Sequence, residues 1–242
     1  MVGIAFEGCA CRAAFHAGVS AALAEAKLPI AFAAGASSGS LCAVGMAAGL
    51  GRELPALFGA LGGRSIICLR RLWWNRSPFD MSYLVRTALV DALGDADLRV
   101  QPVEALVVAT RFRDLKAVVY SSKIEPAMLE PLLGSCFFPV LYGRPIRVRG
   151  EWLLDGGLTD NLPIERLVER GVDEVIAVVP SHRGTAFKSP LRPRWHPRVR
   201  GARVHVVHPR RRLELRAWDL SKERMYRAID EGYRSGRDFT GS

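Results

Sequence analysis

Residues 29–51 carry no charged side chain, and that run leaves room for only two architectures. Its length is close to the ~20 apolar residues that a membrane-crossing helix needs. Gly35-Ala36-Ser37-Ser38-Gly39 interrupts it near the middle, however, and such a cluster would break a helix at mid-depth. The other architecture is a buried strand over residues 30–34, a sharp bend, and a buried helix of small side chains over residues 40–50. It accounts for the glycines and serines as well as the apolar residues, so the span is rejected.

A serine between glycines at a strand-to-helix bend projects its hydroxyl from a turn too tight for bulky neighbours. The following helix aims its N-terminal N–H groups and the positive end of its dipole at the same point. Ser37 is therefore a candidate nucleophile for attack on a carbonyl. A glycine-rich turn with incidental serines has the same local signature, so other residues must decide.

The rest of the chain reads as alternating strands and helices. Strands are expected over residues 2–6, 103–110, 117–121, 174–179 and 203–207. Helices are expected over 14–27, 126–135, 163–170 and 218–234, with an irregular helical region over 53–93. Residues 137–149 read as a crossing punctuated by proline and glycine, and residues 181–201 as a basic, proline-rich surface excursion. This alternation implies a largely parallel sheet in a three-layer arrangement, and 242 residues without repeat or linker imply one domain spanning 1–242.

The net charge of +10 is concentrated. Between Arg183 and Arg216 lie ten arginines and Lys188 against Glu214 alone, so this window carries the whole excess. Such a strip suits peripheral contact with an anionic membrane, and less well nucleic acid, which is not expected as a partner. The five cysteines, Cys9, Cys11, Cys42, Cys68 and Cys136, lack disulfide spacing, and no secretory leader is visible. Both features point to a reducing, cytoplasmic compartment. Cys9-x-Cys11 has no matching second pair for a metal.

A nucleophilic serine needs a base and needs donors for the oxyanion. Asp155, in the turn Asp155-Gly156-Gly157 ahead of Asn161-Leu162-Pro163, is the candidate base, although Asp-Gly-Gly also makes ordinary tight turns. Backbone N–H groups of the loop over residues 8–13, with that of Ser38, are the candidate donors. A triad of the α/β-hydrolase kind would instead recruit His182, His205 or His208, but that fold places its elbow after several strands, and Ser37 follows the second. His16, on the first helix, reads as a structural or surface residue.

Taken in order, these segments resemble the patatin-like phospholipases, lipid acyl hydrolases with a Ser–Asp dyad. Gly35–Gly39 matches the family's G-x-S-x-G, and Asp155-Gly156-Gly157 with Asn161-Leu162-Pro163 matches its D-G-[GA] and N-x-P. Pro139 and its flanks look like the segment before the family's aspartate. Gly8-Cys9-Ala10-Cys11-Arg12-Ala13 stands where the family has G-G-G-x-R-G.

The resemblance implies a three-layer α/β/α sandwich with a mainly parallel central sheet. It implies Ser37 and Asp155 as the catalytic pair, an oxyanion hole from Gly8, Cys9, Ala10 and Ser38, and Arg12 as the anchor of the loop. It implies a lipid ester substrate and no metal or organic cofactor, hence calcium-independent hydrolysis. The loop departs from the pattern at Cys9, Ala10 and Ala13. A left-handed backbone there would be strained without glycine, which leaves a non-catalytic lipid-binding or regulatory protein as the alternative. Trp73, Trp74 and Phe79, set among arginines, could form an interfacial rim or pack in the core.

Overall fold

The computed structural model describes residues 1–63, 97–125, 127–138, 146–189 and 193–241. Its strands are β1 (Val2–Phe6), β2 (Ile30–Ala36), β3 (Glu104–Arg111), β4 (Lys116–Ser121), β5 (Ile146–Val148), β6 (Glu151–Leu154), β7 (Glu174–Val178), β8 (Ala186–Phe187), β9 (Arg194–Trp195) and β10 (Arg203–Val207). Its α-helices are α1 (Ala13–Glu25), α2 (Ser38–Ala47), α3 (Leu54–Gly59), α4 (Leu129–Ser135), α5 (Ile164–Val168) and α6 (Lys222–Thr240). Eight strands form one sheet in the order β10-β7-β1-β2-β3-β6-β5, with β4 also paired to β3. From β10 to β3 all pairs are parallel, whereas β4 and β6 run antiparallel to β3. The architecture is the expected α/β sandwich on a mainly parallel sheet.

Strand periodicity sorts the central residues onto two faces. Ile4, Phe6, Ala33, Ala105, Val107 and Ala109 face the larger core, built with α1, α2, α3, α4 and α6. Ala5, Ala34 and Leu106 face the other, which they share with Ile164 and Leu167 of α5. Trp195, Val199 and Ala202 pack against that second core, so part of the basic segment read as a surface excursion covers the sheet. Helices α1 and α6 cross at backbone contact: a Cβ on Gly18 would stand 2.0 Å from the Ile229 oxygen, and one on Gly232 2.0 Å from that of Phe15.

The register of β3 positions the site. β4 pairs with β3 over Leu106–Arg111, which occupies one edge of that strand. The opposite edge is therefore shared, by β2 as far as Val108 and by β6 at Thr110 and Arg111. β2 runs parallel to β3 and β6 antiparallel, so the two approach head-on along one edge. The residues that follow them, Ser37 and Asp155, converge on the gap between.

Several boundaries differ from expectation. The uncharged run resolves into β2, the bend and α2, and no helix among the described residues is long and apolar enough to cross a membrane. The latter half of residues 137–149 contributes β5, joined to β6 by Arg149 and Gly150, both at positive φ, as in the two-residue turns that suit hairpin twist. The last helix begins at Lys222, where the Ser221 hydroxyl accepts the Arg224 N–H, and it extends to Thr240. Most of the irregular region 53–93, with Cys68, Trp73, Trp74 and Phe79, lies outside the described residues, as does Pro139.

Candidate active site

Ser37 occupies the bend in a strained conformation, φ 50° and ψ −133°, which non-glycine residues rarely adopt. Its flanking glycines are needed for space. A Cβ on Gly35 would meet the Gly39 oxygen at 2.4 Å, and one on Gly39 would meet the Phe6 oxygen at 2.5 Å. The elbow is thus pressed onto the end of β1, beside the loop that leaves it. Ser135, at the end of α4, fixes the geometry from below. Its hydroxyl donates to the Val108 oxygen at 2.6 Å and accepts the Ser37 N–H at 2.9 Å.

The Ser37 hydroxyl donates to Asp155 Oδ2 at 2.7 Å. The other carboxylate oxygen of Asp155 accepts the Gly157 N–H at 2.8 Å, so the side chain caps the short 3-10 turn Gly156–Leu158. Its backbone is held as well: Asp155 N–H donates to the Phe137 oxygen at 2.7 Å, and the Thr110 hydroxyl donates to the Asp155 oxygen at 2.8 Å. Burial raises the Asp155 carboxyl from its ordinary value to about 6, against the opposing pull of the Ser37 hydroxyl and the Gly157 N–H. A carboxylate with that affinity for protons is a better base than an exposed one.

The loop after β1 differs in detail from the expected arrangement. Gly8 is removed from the set of free donors, because its N–H is held by the Asn161 oxygen at 2.9 Å. Cys9 N–H donates to Ser38 Oγ at 3.2 Å, in contact with the elbow. Ala10 takes a left-handed conformation at φ 53°, the strain expected of a loop poor in glycine. Arg12 does not hold the loop through its Nε, which is buried without a partner. Asn161 holds the loop, its amide donating to the Gly8 oxygen at 3.0 Å and to Glu7 Oε1 at 3.4 Å. Glu7 also accepts the Phe187 N–H at 2.8 Å, and burial raises its carboxyl to about 7. Nothing in the spacing of Asn161 or Glu7 announces these tasks, although Asn161 lies in the N-x-P segment.

Ser37, Ser38, Cys9, Ala10 and Asp155 all line one cavity of about 490 Å³. Its remaining wall is mainly apolar, with Leu41, Phe58, Leu61, Leu220 and Met225. Phe138 and Trp218 also line it and are exposed, so they supply two aromatic residues at the pocket's edge. No histidine lines it among the described residues. His16 is buried between the Phe6 and Phe15 rings, and burial holds its imidazole down to about 3. His205 Nε2 lies 2.9 Å from Glu174 Oε1, and His208 Nδ1 lies 3.1 Å from the Pro209 oxygen.

The model of the family described as patatin-like phospholipase matches residues 4–168. The chain is 30% identical over 172 residues to the mouse (Mus musculus) protein named 1-acylglycerol-3-phosphate O-acyltransferase Pnpla3. That match takes in 66% of this chain and 40% of the mouse protein, so the chain spans less than half of the relative's length. The crystal structure of VipD from Legionella pneumophila shares the fold, with a TM-score of 0.55 at 14% identity, over 99% of this chain and 66% of VipD.

Proposed function

The chain belongs to the patatin-like phospholipase family, and from that membership we propose that it is a serine lipid acyl hydrolase of the phospholipase or lysophospholipase type. Ser37 is the nucleophile. Asp155 takes its proton as the hydroxyl attacks the ester carbonyl, then returns that proton to the leaving alkoxide. Water, deprotonated by the same carboxylate, releases the fatty acid from Ser37. The 2.7 Å contact between Ser37 Oγ and Asp155 Oδ2 carries this reading.

The oxyanion forms between the loop and the elbow. Cys9 N–H is engaged by Ser38 Oγ at 3.2 Å and joins the donor set only when the oxyanion displaces that hydroxyl, beside the N–H groups of Ala10 and Ser38. The first turn of α2 contributes its dipole to the same charge. The apolar wall of Leu41, Phe58, Leu61, Leu220 and Met225 suits an acyl chain. No step calls for a metal or an organic cofactor, so hydrolysis is independent of calcium. The basic window from Arg183 to Arg216 brings the enzyme to anionic membrane surfaces. Were a hydroxyl compound to replace water, the same acyl-enzyme would act as a transferase, the activity for which the mouse relative is named.

Mass spectrometry of products from a panel of phospholipids, lysophospholipids and neutral glycerides tests the assignment. Free fatty acid should appear with the wild-type protein and vanish with Ser37→Ala. Lipid binding without turnover in both would instead favour the binding-protein reading, to which the strained Ala10 lends its weight.

A further inference from the structure

Arginines that the sequence scatters over more than thirty positions are gathered by the fold around one cavity. This second cavity, of about 630 Å³, adjoins the Ser37 pocket and shares Arg12 and Ala217 with it. Its walls come from Arg12, from the turn after β7, from Arg194 on β9, and from Arg212, Leu213, Leu215, Arg216 and Ala217. Five arginines border it, Arg12, Arg183, Arg194, Arg212 and Arg216, joined by His182. No acidic side chain is part of the wall among the described residues.

The carboxylates of the same region are committed elsewhere. Glu214 pairs with Arg227 at 2.8 Å, Asp219 with Arg224 at 2.6 Å, and Glu165 with Lys188 at 2.7 Å. Arg12 Nε is buried without an acceptor. Burial first, and the nearby charge of Arg12 with it, depress the guanidinium of Arg194, against the opposing pull of Glu7. Glu7 itself is buried and already holds the Phe187 N–H. Like charges collected around a concavity repel one another and focus a positive field into it, and an anion placed there reverses both costs. Guanidinium forks match the oxygens of a phosphate group in particular.

We propose that this cavity is a phosphate-binding subsite, which seats the phosphate of a lipid headgroup while the ester carbonyl of the same molecule lies against Ser37. The inference rests on the hydrolase reading for its second half. Arg12, common to both cavities, marks where such a substrate would pass from one to the other. The enzyme then selects phosphate-bearing lipid esters over neutral ones.

The test compares a diacylglycerol with the phosphatidic acid of identical acyl chains, each dilute in neutral detergent micelles whose surface charge is matched with an anionic detergent. The wild-type protein should prefer the phosphatidic acid by about 10²-fold in kcat/KM, the scale of one or two charge-assisted hydrogen bonds. A variant with Arg183→Gln, Arg212→Gln and Arg216→Gln should lose that preference to within about threefold, through a higher KM for the phosphatidic acid. Calorimetry with inorganic phosphate should show binding to the wild type and none to the variant. If phosphate binds but the preference persists in the variant, the cavity serves free phosphate and the headgroup assignment is overturned. Lost binding to anionic vesicles with an unchanged preference would make the arginines a membrane-facing patch, which also overturns it. Should neither ester be cleaved, the hydrolase reading fails, while the calorimetric comparison still decides whether the cavity holds phosphate.

Discussion

Asn161 grips Gly8 from both directions: its carbonyl oxygen accepts the Gly8 N–H at 2.9 Å, and its side-chain amide donates to the Gly8 oxygen at 3.0 Å. The pair ties the loop after β1 to the segment after Asp155, two stretches more than 150 positions apart. It also explains Gly8, since a Cβ there would stand 2.4 Å from Asn161 Oδ1.

Asn161→Ala keeps the backbone bond and removes the side-chain one, leaving the part-buried Gly8 oxygen without its partner. The expected loss is about 1–3 kcal/mol, measured by denaturant unfolding. Hydrolysis should fall further than stability accounts for, because Cys9 and Ala10 follow directly. A variant as active as the wild type would separate this clasp from the oxyanion loop.

Activity should depend on pH through Asp155. As the proposed base it must be ionised to accept the Ser37 proton, and burial places its carboxyl at about 6 rather than in the ordinary aspartate range. The value of kcat/KM for a neutral ester should therefore be flat above that point and fall about tenfold per pH unit well below it. A profile that stays level down to pH ~4.5 would assign the proton transfer to another group.

Glu7→Gln tests a second buried carboxyl, whose folded value of about 7 exceeds its ordinary 4.5. Between those limits the folded protein holds a proton that the unfolded chain has released. Stability from this group is thus complete below 4.5 and is lost as pH rises through 7. The wild-type protein should weaken relative to the glutamine variant across that window by on the order of 3 kcal/mol. Parallel stability curves for the two proteins would show that Glu7 stays ionised, held by Arg12 and Arg194.

Ala10→Gly should relieve the left-handed conformation at φ 53°. Strain relief of about 1–2 kcal/mol, less the extra entropy of an unfolded glycine, leaves a net gain of up to about 1 kcal/mol. Thermal unfolding reads this directly. A destabilised variant would mean that Ala10 leaves that conformation in solution.

Legibility in the sequence followed the kind of interaction involved. Ser37 and Asp155 stood out because each is flanked by glycines that its turn requires, and local requirements leave local marks. Their convergence left none, since it depends on β2 and β6 sharing one edge of β3. Ser135 and Asn161 act through single hydrogen bonds to distant backbone, and any serine or asparagine looks the same in isolation. The β5–β6 hairpin leaves only a weak mark in the sequence because its turn is Arg149-Gly150 rather than the more telling Asn-Gly. The arginines between Arg183 and Arg216 read as a diffuse strip, because only tertiary folding brings Arg183, Arg194, Arg212 and Arg216 around one cavity with Arg12.

The central claim is that Ser37 is a nucleophile activated by Asp155. Labelling with a fluorophosphonate, followed by peptide mass spectrometry, addresses it most directly. A single adduct should form on Ser37 in the wild-type protein, and at least about 10³-fold more slowly in Asp155→Asn. An unlabelled Ser37 in the folded protein, or labelling at the same rate without the Asp155 carboxylate, would contradict it.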